Sequence, residues 1–471
     1  MTPAQMTRTP TNDPGVGRYK QNTPLTMQPI TVKEHKRRRT QLMSMMRPGS
    51  IAIIPGAAPK RRNRDVQYLF RQDSDFYYLS GFAEAQALLV LIPGREHGEE
   101  ILFCADRDAL AERWDGERLG PERATQMLGI DDAFPFSDLD DILPGLLEGT
   151  ERIYITLGEH PEFDQKLLSW VAGIRQRESG GAQPPGEFVE LKHLLHEQRL
   201  YKSPAELKLM RRAAEITCGA HIRAMQTCEP GMTEAQLEAE LTYEFMRHGA
   251  RNPAYPCIVG AGANACVLHY VDNRATIGGS DLVLIDAGCE YEHYAADVTR
   301  TFPANGKFSK PQRQIYELVL QANLAAIEQC QPGNSFNAPH EAAVETMARG
   351  LIELGFLLGD FDEVMAEEAY KDFCPHKTSH WLGMDVHDVG DYRFDEAWRE
   401  FEPGMVLTIE PGIYVPINDT TAHVPKRYRG IGVRIEDDVL ITKNGHEVLT
   451  EAVPKSVKEI ETLMAEHWVA A

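Results

Sequence analysis

Four acidic residues in the C-terminal half of this 471-residue chain stand where an apolar strand ends or is interrupted. In DLVLIDAGCEYEHYAADVTR, residues 281–300, an apolar strand runs to Asp286, the chain turns at Gly288, and a second arm carries Asp297 and Thr299. Period-two alternation puts Leu282, Leu284 and Asp286 on one face of the first arm, and Asp297 with Thr299 on one face of the second. In MVLTIEPGIY, residues 405–414, Thr408 shares a face with Glu410; in IGVRIEDDVLI, residues 431–441, Gly432, Arg434 and Glu436 share one. Any single acid here could cap a turn, but burying one is costly unless it is paired, hydrogen-bonded or metal-bound. Four converging carboxylates would repel one another into protonation unless cations held them together.

Between these segments lies CPHKTSHWLGMDVHDVG, residues 374–390, with histidines at 376, 380 and 387. One imidazole with four carboxylates is an oxygen-rich ligand set, suited to Mn, Fe(II), Co or Zn in a working site rather than to a structural zinc. Bridging carboxylates imply two ions about 3.5–4 Å apart, an arrangement that activates water for hydrolysis. His376 and His380 have the i, i+4 spacing of helical zinc ligands, but the glutamate of H-E-x-x-H is missing and Gly383 follows closely, so that reading is rejected. His387 in DVHDVG and His269 in ACVLHY have no ligand-like partners in sequence and read, by residue type alone, as hydrogen-bonded core residues. Arg434, on the face of Glu436, would hydrogen-bond ligand carboxylates and hold them deprotonated. Tyr414 could line a pocket or pack in the core.

The elements that must position these groups repeat. S-P-A-E at 203–206 has capping-box spacing with proline at the first helical position, predicting a helix to about Cys228 that stops at Pro230-Gly231. T-E-A-Q at 233–236 opens a second helix, ending at Gly249. S-K-P-Q at 309–312 opens a third that stops at Pro332-Gly333, and a fourth ends near Gly355. Each helix pair precedes a carboxylate-bearing strand pair, which predicts two α-α-β halves facing one another. Ahead of them SIAIIPG, ALLVLIPG, EILFCA and RIYITLG alternate with amphipathic stretches, the pattern of an α/β domain. GGAQPPGE, residues 180–187, is a turn-rich connector near its end. FRQDSDFYYLSGF, residues 70–82, reads as an aromatic strand with a polar start, Trp114 in RWDGERLG as a core residue, and HKRRRT, residues 35–40, as the solvated face of a helix. Residues 1–29 read as a disordered tail, giving an expected division into 1–29, an N-terminal domain at 30–200 and a catalytic domain at 201–471.

Hydrophobic residues make up 42% of the chain, yet no apolar run reaches membrane-spanning length, and the first 30 residues lack the apolar core of a signal peptide. Eight cysteines with no C-x-x-C read as free thiols in a reducing compartment. A net charge of −21 opposes nucleic-acid binding and weighs against a two-metal nuclease. A soluble cytoplasmic protein is expected, with no nucleic-acid or membrane partner.

LIDAG, ADVTRTF, SHWLG with VHDVG, TIEPGIY and GVRIEDDVLI, in that order, resemble the motifs of the pita-bread metallopeptidases, and among them chiefly the Xaa-Pro aminopeptidase (aminopeptidase P) group. FRQDSDFYYLSGF and RWDGERLG resemble that group's N-terminal domain, and the likeness covers roughly residues 30–455. It implies an α/β N-terminal domain followed by an α+β pita-bread catalytic domain with pseudo-two-fold halves. It also implies two divalent ions, usually manganese, ligated by Asp286, Asp297, His380, Glu410 and Glu436, with Asp297 and Glu436 bridging. It places His376 beside the ligand histidine. It reverses the core reading of His269 and His387, which match histidines that face the scissile carbonyl and stabilise the tetrahedral intermediate. The implied reaction releases the N-terminal residue from peptides with proline second. A metal-bridging hydroxide attacks the carbonyl, Glu410 passes the proton to the leaving nitrogen, and Asp286 with its metal anchors the free amine. His269, His376, His387 and Tyr414 would contact the substrate. Prolidase, which cuts only dipeptides, creatinase, which shares the fold without metals and against which the five ligands argue, and a non-catalytic pita-bread interaction protein are the rival readings. Family members are often dimers or tetramers, so a homo-oligomer is expected. The chain departs from the family in having Lys377-Thr378 where glycine commonly follows the first histidine.

Overall fold

The computed structural model describes residues 30–418 and 424–469; the tail expected at 1–29 lies outside the described residues. Six strands form a mixed sheet in the spatial order Asp132–Pro135, Glu100–Cys104, Leu88–Leu91, Ser50–Pro55, Arg152–Ile155, Glu187–Glu190. Its central strands are almost wholly apolar and buried because both faces are covered. Ile51, Ile53, Leu88 and Val90 pack against the helices Leu139–Leu147 and Pro161–Arg175, while Ala52, Ile54, Leu89 and Leu91 face a core continuous with the rest of the molecule.

Three expectations for this region are corrected. Residues 74–80 of the aromatic segment form a helix, Ser74–Ser80, not a strand. The Asp73 side chain accepts from the Phe76 N–H at its start and Gly81 closes it in the left-handed conformation, and these caps outweigh the strand propensity of the aromatics. Trp114 is 89% exposed, on a four-residue helix, Glu112–Asp115, that buries nothing and whose charged sequence offers no apolar face. HKRRRT does lie in a helix, Val32–Met45, but Arg38 and Arg39 are 1% and 0% exposed. Each is compensated, Arg38 by Glu206 at 3.4 Å and the Tyr78 carbonyl, Arg39 by Glu100 at 2.8 Å and the Leu79 carbonyl, which is what makes burying a guanidinium tolerable.

The helices predicted from capping-box spacing are present: Pro204–Thr227 with Glu234–Arg247, and Lys310–Glu328 with Ala338–Glu353, each pair packed together. After the first pair, Leu282–Asp286 pairs antiparallel with Ile258–Ala261 and Thr299–Pro303, setting Asp286 opposite Thr299. The hairpin is not a simple one. Between its arms Cys289–Tyr291 and Tyr294–Ala295 form a second small ladder. Gly288 is where the chain crosses itself, and a Cβ there would lie 1.7 Å from the Ala296 carbonyl oxygen.

After the second pair, an antiparallel ribbon is bent in the middle, with Gly445–Val448 added as a third strand beside Asp437–Thr442. Val406–Ile409 pairs with Asp437–Thr442, and Gly412–Val415 pairs with Ile431–Arg434. Glu410 falls in the break of one strand and Glu436 in the break of the other. Asn323, wholly buried in the Lys310–Glu328 helix, donates its amide to the carbonyls of Ile409 (3.1 Å) and Ile435 (3.3 Å), one at each break; Ile435 stands opposite Pro411, which has no N–H to give its carbonyl. The Glu436 N–H donates to the Thr299 carbonyl at 3.0 Å, joining the two halves. Among the described residues no helix is long and apolar enough to cross a membrane.

Candidate metal centre

The breaks in the two halves face each other across a cleft of about 1010 Å³ whose lining includes Asp286, Asp297, His380, Glu410 and Glu436. Ligand atoms of Asp297, His380 and Glu436 lie within 4.8 Å of one another. His380 Nε2 is 3.4 Å from Asp297 Oδ2 and 3.6 Å from Glu410 Oε1. Two donors each about 2.1 Å from one ion stand roughly 3.0–3.4 Å apart, so these separations fit shared coordination better than a hydrogen bond. His380 Nδ1–H donates to the Trp381 carbonyl at 2.9 Å, which fixes the tautomer and leaves the Nε2 lone pair facing the acids.

The electrostatics point the same way. Four carboxylates converge in a buried space with one guanidinium, Arg434, among them. Burial, and then the charges of Asp297 and Glu410, push Glu436 well above the usual carboxylate range. Burial also raises Asp286, against the pull of Arg434, and lifts Glu410 to about 7. Burial lowers His380, but its contact with Asp297 and the charge of Glu410 outweigh that and carry it to about 9. Protons are the cations of last resort in such a cluster; divalent ions with oxygen-preferring chemistry fit it without protonating the acids.

Each acid is also aimed by neighbours. Arg434 donates from Nη2 to Asp286 Oδ2 at 2.6 Å, from Nε to Thr299 Oγ1 at 3.0 Å and from Nη1 to the Tyr414 hydroxyl at 2.8 Å. Thr299 in turn donates to Glu436 Oε2 at 2.7 Å. The Tyr414 hydroxyl meets His376 Nε2 at 2.9 Å, while His376 Nδ1–H donates to the Lys377 carbonyl at 2.7 Å. Burial, helped by the charge of Arg434, keeps His376 neutral by lowering it to about 4. The stretch containing Lys377-Thr378 is not helical, and Thr378 Oγ1 contacts His340 Nδ1 at 2.8 Å. His387 stands edge-on to His380 with ring centres 4.5 Å apart and is lowered by burial and by the charge of His380. His269 lines the same cleft. Nine of the ten residues singled out from sequence thus line one cleft, and the tenth, Tyr414, is a buried side chain behind it.

Several participants were not anticipated. The Tyr255 hydroxyl sits between Asp286 Oδ1, at 2.7 Å, and Asp297 Oδ1. Asp438 accepts the Asp297 N–H at 3.2 Å and is pushed well above its ordinary value by burial and by the Asp297 charge. Asp438 was legible, since it lies two residues from Glu436 on the same strand face; Tyr255, in an irregular segment between prolines, carried no such signal. The loop bearing His380 and His387 is also held from the N-terminal part. Arg199 pairs with Asp75 (2.6 Å), Asp385 (2.8 Å) and Asp388 (2.6 Å), and Arg71 donates to the Met384 carbonyl at 2.7 Å.

A family model described as metallopeptidase family M24 matches residues 208–443, and one described as the aminopeptidase P N-terminal domain matches residues 35–154. Xaa-Pro aminopeptidase of Escherichia coli is 47% identical over 439 residues, 93% of this chain and 99% of that one. The solved structure of Pseudomonas aeruginosa aminopeptidase PepP is similar with a TM-score of 0.93 at 57% identity, covering 94% of this chain and 100% of the other. Zinc-substituted E. coli aminopeptidase P in complex with product gives 0.90 at 46% identity over 93% and 99%.

Proposed function

The chain belongs to metallopeptidase family M24, in its aminopeptidase P group, and on that premise we propose that it is a metal-dependent aminopeptidase releasing the N-terminal residue from peptides with proline second. The observation that carries this reading is the convergence of four carboxylates and one imidazole in a single cleft with one buried guanidinium to offset them. We take the metals to be two, with manganese the first choice on the oxygen-rich donor set. Divalent ions there would generate a nucleophile from water at neutral pH and polarise the scissile carbonyl.

The chain's own residues do the rest. Asp297 and Glu436, the least exposed of the four acids, would be shared between the ions, and Asp286, His380 and Glu410 would complete the ligand set. Asp286, held by Arg434, faces the free amine of the substrate. Glu410 is the carboxylate best placed to carry a proton to the leaving nitrogen. His269 and His387 present ring N–H groups where charge develops on the carbonyl oxygen. An Xaa-Pro bond lacks the amide hydrogen that other peptidases grip, and its ring fixes φ, so recognition must come from the amine and the ring. His376, on the cleft wall and backed by the Tyr414 hydroxyl, offers the ring a seat.

Residues 30–200 would form the N-terminal domain and 201–471 the catalytic one. Exposed Trp114 supports a homo-oligomer, dimer or tetramer, and eight cysteines without a disulfide support a cytoplasmic location. The test is metal content measured together with cleavage of a peptide panel. Tripeptides and longer Xaa-Pro peptides should be cut and N-acetylated ones spared. Activity confined to Xaa-Pro dipeptides would make the protein a prolidase. Efficient removal of methionine from Met-Ala peptides would take it out of the proline-specific branch.

A further inference from the structure

The loop that carries His269 is tied down by a carboxylate on a different element. Glu234, the first residue of the Glu234–Arg247 helix, is 0% exposed and has no cation within ion-pair distance among the described residues. Its charge is held by four donors. Oε1 accepts from the Ala261 N–H and from Asn264 Nδ2, both at 2.9 Å; Oε2 accepts from the Tyr270 hydroxyl at 2.9 Å and the Ala275 N–H at 2.8 Å. All four lie between residues 261 and 275, on both sides of His269. A second strut stands one helical turn on. Asn273, with φ of +47°, gives its amide to Glu238 Oε2 at 3.0 Å and to the Cys257 carbonyl at 2.8 Å, and accepts the Val259 N–H at 3.0 Å.

The loop's opposite side rests on a floor cut to fit it. A Cβ on Gly432 would meet the Ala265 carbonyl oxygen at 2.2 Å, and one on Gly260 would meet the 264–265 peptide at 3.0 Å. Leu268 and Tyr270 pack against Ile258, Leu284 and Tyr414, so the loop is seated on the strands that carry the site. A buried carboxylate without a cation is costly even when fully hydrogen-bonded. Holding a loop alone would be done as well by neutral acceptors.

We propose that Glu234 is a positioning residue for the reaction: it fixes the 261–275 loop and, through the Tyr270 hydroxyl, sets His269 at the scissile carbonyl. The proposal rests on the role given to His269 above. Tyr270→Phe removes a single oxygen from a half-buried ring and tests it without endangering the fold. Metal content and Tm should stay near wild type and KM should change little, while kcat for a Xaa-Pro tripeptide falls roughly 10-fold, as a displaced catalytic group does. In a His269→Ala background the same substitution should have no further effect. Glu234→Gln, which turns an amide donor toward two of the loop's donors, should lower kcat at least as far, with Glu234→Asp recovering part of it. An undiminished kcat in Tyr270→Phe, or an equal loss with and without His269, would overturn the proposal while leaving the reading of the site intact. An undiminished kcat in His269→Ala would overturn the role of that histidine and the proposal with it.

Discussion

Asp297 is the residue on which most of the site's electrostatics turn. It touches His380 on one side and Tyr255 on another, and its own N–H is held by Asp438. An amide bridges two cations poorly, so Asp297→Asn should lose most bound metal and nearly all activity, and its response to chelator should be muted. Metal analysis after dialysis checks this; wild-type stoichiometry would remove Asp297 as a bridge. His387 makes the opposite prediction. It stands beside His380 without being placed among the ligands, so His387→Ala should keep its metal and lose roughly 10²–10³-fold in kcat, the effect of deleting one oxyanion donor. Metal lost from that variant would make His387 a ligand.

At the scale of the element, the ligands depend on strands that are broken in register with one another. Glu410 and Glu436 project from the two breaks of one bent ribbon, and Asn323 braces the bend by donating to a carbonyl at each break. Asn323→Leu keeps the branched shape with bulkier methyl ends and donates to neither carbonyl. It should cost about 2–3 kcal/mol, seen as a lower Tm, and should also weaken metal binding, because relaxation of the bend moves both glutamates. Calorimetric unfolding with and without metal separates the two effects. A variant with a normal Tm and normal metal affinity would mean that the bend does not need Asn323. Helix starts and strand faces were legible here, because capping boxes and alternation are local. The bend's support was not, since a buried asparagine 87 residues before Glu410 has no local mark of its partner.

For the molecule as a whole, the junction between the N-terminal part and the catalytic part buries histidines in the neutral form. Burial and the neighbouring Arg38 lower His35 to about 4, and burial with Arg71 does the same to His293, whose ring stacks on Tyr77 with centroids 3.7 Å apart. Unfolded, each would titrate near 6.5. Below that value the unfolded chain takes up protons that the folded one refuses, so the stabilising term is whole above pH 6.5 and is lost as pH falls toward 4. The slope is at most about 1.4 kcal/mol per pH unit for each such group. Melting temperatures across pH 4 to 7 should fall on the acid side, and His35→Gln should flatten the curve; an unchanged slope would show that His35 does not carry it. This junction is also where the sequence misled most. Arg38 and Arg39 look solvated in HKRRRT, and only the arrival of Glu206 and Glu100 from distant elements makes their burial affordable.

The chain's local order determined which residues could do chemistry. Acids at the ends of apolar runs, an imidazole-rich stretch between them and repeated helix starts are all properties of neighbours within a few residues, where hydrophobic period and capping geometry act. Asp286, Asp297, His380, Glu410 and Glu436 could be named on that basis together with family likeness. Tertiary structure decided what surrounds them: Tyr255 between two of the acids, Asp438 behind Asp297, Asn323 under the bend, Glu234 behind the His269 loop, and Arg199 tying the histidine loop to the N-terminal part. Each of these is a polar side chain whose burial is tolerable only because a partner comes from another element. No window along the sequence contains both members of such a pair.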